Sequence, residues 1–265
     1  FKGTKKRPTA LAISAELDGL GAEYNAFTSQ EWTGYYAKVQ HAKSDQAIDL
    51  VADMYLNPVF DPAEIEKEKG VIIEEINMYE DLPQRKVHDV FMALMYGDQR
   101  AGGDIAGPKE NIRAMNRDQF IKYRGAHYVP RATAVIVAGA FDEKKVLAQL
   151  ESLFGGMSAG PKAPKIATPE KQEKPEIALK FKQSDQSHLV IGCRAFAVSD
   201  ERRYALDLLS DILGGGMSSR LFQRVREQMG AAYYVKASSD LYTDHGYFAV
   251  SAGVEHSKLE IVVTA

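Results

Sequence analysis

The stretch from Asp61 to Asp81 constrains the fold most, because it places acids on the apolar side of a helical pattern. Asp61 is suited to the N-cap and Pro62 to the first helical position, with Glu64 as the returning side chain of a capping box. An apolar stripe then recurs at helical spacing, which predicts one long helix. The stripe consists of Ile65, Ile72, Ile76 and Tyr79.

Two acids of this helix need an explanation. At about 100° per residue, Glu68 and Glu75 fall on the edge of the apolar stripe, whereas Glu74 falls nearly opposite, toward solvent. A carboxylate that faces the core is costly unless it is paired, hydrogen-bonded or bound to a metal. Ion pairs with Lys or Arg on a neighbouring element would satisfy both acids, and such pairs are common. The pattern leaves ion pair and metal ligand open.

The composition excludes several classes of partner. The chain has 265 residues, 45% of them hydrophobic and 26% charged, which is ordinary for a globular protein. A net charge of −3 argues against nucleic acid or an anionic membrane as the main partner. We expect no transmembrane segment, since no apolar run approaches the roughly 20 residues that span a bilayer. Cys193 is the one cysteine, so no intrachain disulfide is expected.

Helical and alternating patterns are interspersed along the whole chain, which predicts the α+β class. Helices are expected at 8–20, 44–56, 61–81, 83–96, 117–128, 142–154, 200–213 and 218–228. Strands are expected at 24–27 and 33–39 as one hairpin, at 133–138, 178–182 and 189–195, and as a second hairpin within 231–253. We expect antiparallel or mixed sheets with helices packed on one face.

A composition break at 156–177 divides the chain. Four prolines, several lysines and few large apolar residues predict an exposed linker there. The predicted organisation is an N-terminal domain at 1–160, a linker at 161–177 and a C-terminal domain at 178–265. The two halves could be distant repeats of one unit.

Few residues suggest chemistry by themselves. No pair of histidines forms H-E-x-x-H or H-x-x-E-H, and the triple glycine at 214–216 lacks the Lys of a phosphate loop. Arg226 and Tyr233 stand on either side of Gly230, where a guanidinium and a phenol could hold a carbonyl or an oxyanion. A surface Arg and a half-buried strand Tyr would give the same pattern.

The segment Tyr24-Asn25-Ala26-Phe27 is a candidate for peptide binding. An edge strand at this position could accept an extended peptide by adding it to the sheet. An ordinary hairpin without a ligand would have the same sequence pattern.

Four segments together resemble the M16 (insulinase and mitochondrial processing peptidase) family of zinc metallopeptidases, in its compact bacterial form. FKGTKKRP resembles the segment that follows the family's inverted zinc motif, and YNAFTSQEWTGYYAKV resembles its substrate-pairing strand. EKEKGVIIEEINMYED resembles the helix with the third zinc ligand, and GGGMSSRLFQRVREQMGAAYYV the arginine and tyrosine segment of the second domain. The resemblance implies two homologous LuxS/metallohydrolase-like domains, each a mostly antiparallel sheet with helices on one face, both truncated here.

The resemblance also implies roles for individual residues. It places the third zinc ligand on Glu75 and a supporting acid on Glu68. It maps the substrate-holding pair onto Arg226 and Tyr233. The backbone-pairing strand corresponds to Asn25, Ala26 and Phe27.

The sequence departs from the family at the H-x-x-E-H helix, which would lie just before Phe1 and is absent. We therefore expect a fragment that neither binds Zn²⁺ tightly nor hydrolyses peptides, because one carboxylate does not make a catalytic zinc site. The parent is expected to be a zinc-dependent endopeptidase acting on extended peptides or unfolded protein. The alternatives are a non-catalytic subunit that holds peptide for an active homologue, and a structural module without a peptide groove. A homodimer, or a heterodimer with another M16 subunit, is the expected assembly.

Overall fold

The computed structural model describes residues 2–170 and 172–265. Its elements in chain order are α1 (Ala10–Gly19), β1 (Glu23–Thr28), β2 (Thr33–Lys38), α2 (Ser44–Leu56), α3 (Pro62–Glu80), α4 (Pro83–Tyr96), α5 (Lys109–Ala114), α6 (Arg117–His127), α7 (Glu143–Phe154), β3 (Ser187–Ala195), α8 (Arg203–Gly214), β4 (Ala232–Leu241), β5 (Gly246–Val254) and α9 (Leu259–Thr264). A π-helix covers Phe222–Gln228. The predicted α+β class is confirmed, since both sheets are antiparallel.

The chain forms two compact units, each made of two stretches of sequence. Unit 1 contains Phe1–Ile73 and Pro108–Lys165, and unit 2 contains Glu74–Gly107 and Ile166–Ala265. No helix of the described residues has both the length and the apolar character needed to cross a bilayer. The domain limits expected from composition remain a prediction.

In unit 1, α1 and α2 enclose a core beneath the β1–β2 hairpin. Ile13 and Leu17 of α1 contact Leu50 and Met54 of α2, and all four are buried. Partly buried side chains of the hairpin pack on this cluster, which fixes the face that β1 and β2 turn inward. In the hairpin register, Ala26 lies opposite Tyr35.

A buried charge network ties the segment before α1 to the core of unit 1. The Arg7 guanidinium donates to Glu16 of α1 at 2.6 and 2.7 Å, and to Asp49 and Asp53 of α2 at 3.0 and 2.9 Å. The hydrogen bonds from Arg7 hold the pKa of the Glu16 carboxyl below its ordinary value. Thr4 completes the network by donating to Asp53 at 2.5 Å.

The first turn of α3 shows which part of its predicted N-terminus forms. The Asp61 carboxylate accepts the backbone N–H groups of Ala63 and Glu64 at 2.8 and 3.1 Å, so the N-cap is confirmed. The Glu64 side chain bonds Lys67 one turn onward. The return bond of a capping box is therefore replaced by an ion pair along the helix.

In unit 2, the three strands are ordered β3-β5-β4. Phe91 and Tyr96 of α4 are buried beside Ala249 of β5, and the Tyr96 hydroxyl donates to the Gly246 carbonyl at 2.9 Å. Gly214, at the end of α8, lies so close to β4 that a Cβ would stand 2.1 Å from the Ala237 nitrogen. This close approach explains one glycine of the 214–216 triple.

Two predicted strands were wrong. Residues 133–138 and 178–182 form no strand in the part of the chain that the structure describes. Apolar and β-branched residues form a strand only where a neighbouring strand offers backbone partners. None of the described strands pairs with either segment. The helix expected at 218–228 is largely the π-helix, while α5 and α9 were not predicted.

The Arg7 network predicts a large loss of stability from Arg7→Met. Arg7 is only 10% exposed at its side chain and Asp53 only 2%, so the variant leaves a buried carboxylate without its cation. Removing one partner of a buried pair costs about 3–5 kcal/mol. Urea unfolding of the two proteins measures the difference.

Arg202→Met is the matched control, because Arg202 pairs with Asp200 at the surface. Its effect on the free energy of unfolding should be much smaller. Equal losses in the two variants would contradict the role given to the Arg7 network.

Candidate functional site

Strand β1 has a free edge. In unit 1 it pairs with β2 and with no other described strand. The backbone N–H of Ala26 donates to the side-chain oxygen of its own neighbour, Asn25, at 2.8 Å. A local side-chain acceptor of this kind is easily exchanged for the carbonyl of a ligand.

The Asn25 contact also indicates which backbone groups face outward. Opposed residues in an antiparallel pair alternate between those that exchange two hydrogen bonds and those that exchange none. Because the Ala26 N–H is bound by Asn25 rather than directed to β2, Ala26 and Tyr35 form a pair of the second kind. Tyr24 and Thr28, two residues away on either side, then also direct their backbone groups to the free edge.

An aromatic surface lies on the same hairpin. The rings of Phe27 and Trp32 meet edge to face, with centroids 5.1 Å apart, and both side chains are exposed. The Phe27 ring covers Gly34 across the strand pair, where a Cβ would stand 2.2 Å from the ring. The hairpin therefore presents an exposed apolar area, which leans from β1 toward β2.

A cavity of about 680 Å³ opens in unit 1 next to β1. Tyr24, Asn25 and Ala26 form part of its wall. The remaining lining is mainly apolar and aromatic, including Ile13, Met54, Ile65, Ile72, Ile112, Tyr35, Tyr55, Phe60, Phe120 and Tyr128. The hydroxyls of Tyr35 and Tyr128 lie 3.1 Å apart, and burial raises the pKa of Tyr128.

Glu68 lines this cavity and forms an ion pair. Its carboxylate lies 2.9 Å from Lys2 Nζ, and this hydrogen bond raises the pKa of Lys2. Both side chains are partly exposed. The structural ion pair left open by the sequence is thus present at Glu68.

Glu75 is exposed, so the expected place on a core-facing edge was wrong. Ile76 is the buried residue of α3, and the stripe around it is only half-buried, which leaves its edges in solvent. The Tyr79 hydroxyl, one turn onward, donates to Glu75 at 3.1 Å. The guanidinium of Arg85 lies 3.7 Å from the centre of the Tyr79 ring. Glu74 is exposed as predicted.

Two backbone irregularities in unit 2 bring Arg226 and Tyr233 together. Arg226 lies in the π-helix, and Tyr233 is the extra residue of a bulge between Ala232 and Tyr234 of β4. The Arg226 guanidinium carbon is 5.8 Å from the centre of the Tyr233 ring. π-helical turns and β-bulges frequently occur at functional sites, where they re-aim a side chain.

Both groups of this pair are available to a ligand. The Tyr233 side chain is 74% exposed, and Arg226 is exposed as well. Phe222, one turn before Arg226, supports the guanidinium from 4.9 Å. The predicted pair is therefore adjacent in space and solvent-accessible.

Sequence reasoning missed three supporting side chains. Phe222 stands four residues before Arg226 and Tyr79 four residues after Glu75, a spacing at which helical side chains touch. That spacing could have identified both. The pairing of Lys2 with Glu68 joins distant parts of the chain and leaves no local signal.

Two family models match the chain. The model described as "Insulinase (Peptidase family M16)" matches residues 1–109. The model described as "Peptidase M16 inactive domain" matches residues 114–265. Together they cover nearly all of the sequence.

Curated relatives have similar sequences over the whole of this chain. An "Uncharacterized zinc protease" of Streptomyces coelicolor is 38% identical, over 99% of this chain and 58% of its own length. The "Uncharacterized zinc protease YmxG" of Bacillus subtilis is 38% identical, over 98% of this chain and 63% of its own. The chain thus spans about three-fifths of these relatives.

Solved structures show the same fold at low identity. A peptidase M16 inactive domain from Pseudomonas fluorescens superposes with a TM-score of 0.89 at 20% identity, over 99% of this chain and 64% of that one. A protease from Helicobacter pylori gives a TM-score of 0.87 at 21% identity, over 100% of this chain and 66% of that one.

The exposure of Arg226 and Tyr233 predicts that neither supports the fold. Arg226→Gln and Tyr233→Leu should each change the free energy of unfolding by less than about 0.5 kcal/mol, as surface substitutions do. Val235→Ala, two residues further along β4 and buried, should cost about 2 kcal/mol. Urea unfolding of the three variants compares them. If Tyr233→Leu lowered the free energy of unfolding as much as Val235→Ala does, Tyr233 would belong to the core.

Proposed function

Because the chain belongs to the M16 (insulinase) family of peptidases, we propose that it forms the peptide-aligning part of a zinc-dependent metalloendopeptidase. Its own activity in this proposal is to bind an extended peptide along the free edge of β1. The names of the relatives as zinc proteases support the class of reaction.

The single observation that carries the proposal is the Ala26 N–H, bound only by the neighbouring Asn25 side chain on an unpaired edge. An incoming strand would take this donor and the outward groups of Tyr24 and Thr28. Main-chain bonds of this kind do not depend on ligand sequence, so they suit a protein that accepts many extended peptides. Phe27 and Trp32 would add apolar contact.

Arg226 and Tyr233 are proposed to hold a peptide carbonyl. A guanidinium and a phenol both donate hydrogen bonds, and their exposure leaves those donors accessible. Stacking against Phe222 limits the motion of Arg226, so less conformational entropy is lost on binding.

Glu75 is proposed as one zinc ligand of the family's site, with Glu68 as a supporting acid. The residues present do not make that site by themselves. Within either unit, no three His, Cys, Asp or Glu side chains of the described residues approach closely enough to share an ion. A catalytic zinc requires three protein ligands. The chain as given is therefore proposed to align peptide without cleaving it.

A second candidate function is a non-catalytic subunit that holds peptide for an active homologue. Both functions use the β1 edge and the Arg226–Tyr233 pair, and they differ in where the metal ligands come from. Assembly as a homodimer, or as a heterodimer with another M16 subunit, belongs to this proposal. Nucleic acid is not a proposed partner.

The β1 edge predicts that Ala26→Pro abolishes peptide binding. Proline removes the outward N–H, and it is tolerated at a strand edge whose N–H faces solvent. Fluorescence anisotropy of a labelled Lys-(Thr-Val)₄-Lys peptide, titrated with the chain, should show saturable binding that the variant loses. Circular dichroism should show the fold unchanged.

Ala37→Pro is the matched control. Ala37 lies opposite Tyr24, two residues from Tyr35, so its N–H points to the opposite edge of the hairpin. This variant should bind the peptide as the parent chain does. A peptide N-methylated at every residue should fail to bind either this variant or the parent chain, because neither of its edges can donate. Equal binding by both proline variants would remove β1 as the site.

The ligand set predicts that the purified chain holds well under one Zn²⁺ per molecule after dialysis and does not cleave a quenched fluorescent peptide. This prediction would be contradicted if the purified chain held one Zn²⁺ per molecule, and if Glu75→Gln abolished that binding while Glu74→Gln retained it. In a longer form that carries H-x-x-E-H, the same two variants should separate: Glu75→Gln loses the metal and activity, and Glu74→Gln keeps both. Atomic emission and peptide hydrolysis measure the two quantities.

A further inference from the structure

Ser187, His256 and Ser184 form a hydrogen-bonded chain within unit 2. The Ser187 Oγ lies 2.8 Å from His256 Nδ1, and the other ring nitrogen, Nε2, lies 2.7 Å from the Ser184 carbonyl oxygen. A carbonyl oxygen only accepts hydrogen bonds, so Nε2 carries a proton and donates it. In the neutral ring Nδ1 is then the acceptor, and the Ser187 hydroxyl donates to it. The contacts therefore fix both the tautomer of His256 and the direction of the Ser187 hydroxyl.

Strand pairing brings the two side chains together. Ser187 is the first residue of β3 and lies opposite Val254, the last residue of β5. His256 follows that strand in a short 3-10 helix, His256–Lys258. Lys258 anchors this turn by donating to the Gly230 carbonyl at 3.1 Å. Backbone structure on both sides thus holds the hydroxyl and the imidazole within hydrogen-bond distance.

The pair has the parts that an activated serine needs. A serine hydroxyl is a weak nucleophile unless an adjacent base takes its proton as the new bond forms. The base must lie within about 2.6–3.2 Å of the hydroxyl oxygen, and a third group must orient it. His256 meets the first condition and the Ser184 carbonyl the second. Because His256 is exposed and Ser187 half-buried, a small molecule can reach the hydroxyl oxygen.

We propose that Ser187 is an acyl-accepting serine activated by His256, with small activated esters as its substrate class. In this step Ser187 Oγ bonds to the ester carbonyl carbon, and the hydroxyl proton passes to His256 Nδ1. The bond from that carbon to the leaving oxygen breaks, and the leaving oxygen takes the proton from Nδ1. The products are an O-acyl serine and a free alcohol or phenol. The proposal does not depend on the peptide-aligning function.

Ser184 provides an internal comparison for the nucleophile. Its hydroxyl donates to the Gln186 carbonyl at 2.8 Å, and a carbonyl oxygen does not act as a base. A hydrogen bond that only fastened the turn would leave Ser187 as unreactive as Ser184. Trypsin cleaves after Lys182 and Arg194, so a single peptide contains both serines.

Acetylation by p-nitrophenyl acetate tests the proposal. The chain is used in a Cys193→Ala background, which removes the exposed thiol, and tandem mass spectrometry of the tryptic peptide locates the acetyl group. Ser187 should be acetylated about 100-fold faster than Ser184, the lower end of what a general base contributes. Comparable rates at the two serines, or no acetyl group on Ser187, would overturn the proposal.

His256→Gln in the same background tests the base. It should slow acetylation of Ser187 by about 100-fold, because an amide does not take up the proton. His188→Gln is the matched control, since this neighbouring imidazole bonds the Tyr234 hydroxyl instead, and it should react at the unchanged rate. Circular dichroism reports whether both variants fold, and the comparison of Ser187 with Ser184 holds without them. Full reactivity in a folded His256→Gln, or an equal loss in His188→Gln, would overturn the assignment of the base.

Discussion

The unpaired edge of β1 is the constraint on which the functional account depends. Backbone donors and acceptors need partners, and a strand at the edge of a sheet can satisfy half of them only from outside the sheet. In this chain the Ala26 donor is met by the adjacent Asn25 side chain, which holds the group in place without closing the edge. The cavity beside Tyr24 borders the same strand, and the aromatic pair Phe27–Trp32 lies on the same hairpin.

The Arg226–Tyr233 pair depends on two irregularities of the backbone. A π-helical turn and a β-bulge each interrupt regular hydrogen bonding, and each tends to be found where a side chain has a function. Here both act on neighbouring residues, with Phe222 as a support. The hydrophobic core of unit 2 is formed by other residues, among them the buried Val225 and Val235.

Signals between residues close in sequence predicted most of the fold. The errors arose where the structure depends on contacts between residues far apart in sequence. Helix limits followed from residues close in sequence: Asp61 caps α3, and Asp142 caps α7 by accepting the Lys145 N–H at 3.0 Å. The strands expected at 133–138 and 178–182 failed because a strand forms only with a partner, which no local pattern specifies. Glu75 was misplaced because a helical wheel gives direction around an axis, whereas burial depends on what packs there. Arg226 and Tyr233 were named as a candidate pair from the sequence, but the bulge that aims Tyr233 was not predicted.

Hydrogen exchange at single-residue resolution tests the central claim most directly. If an extended peptide pairs with β1, adding Lys-(Thr-Val)₄-Lys should slow exchange of the outward amides of Tyr24, Ala26 and Thr28. The amides of Asn25 and Phe27, which face β2, should change little. If the exchange rates of the three outward amides were unchanged by the peptide, the edge would not be a binding surface.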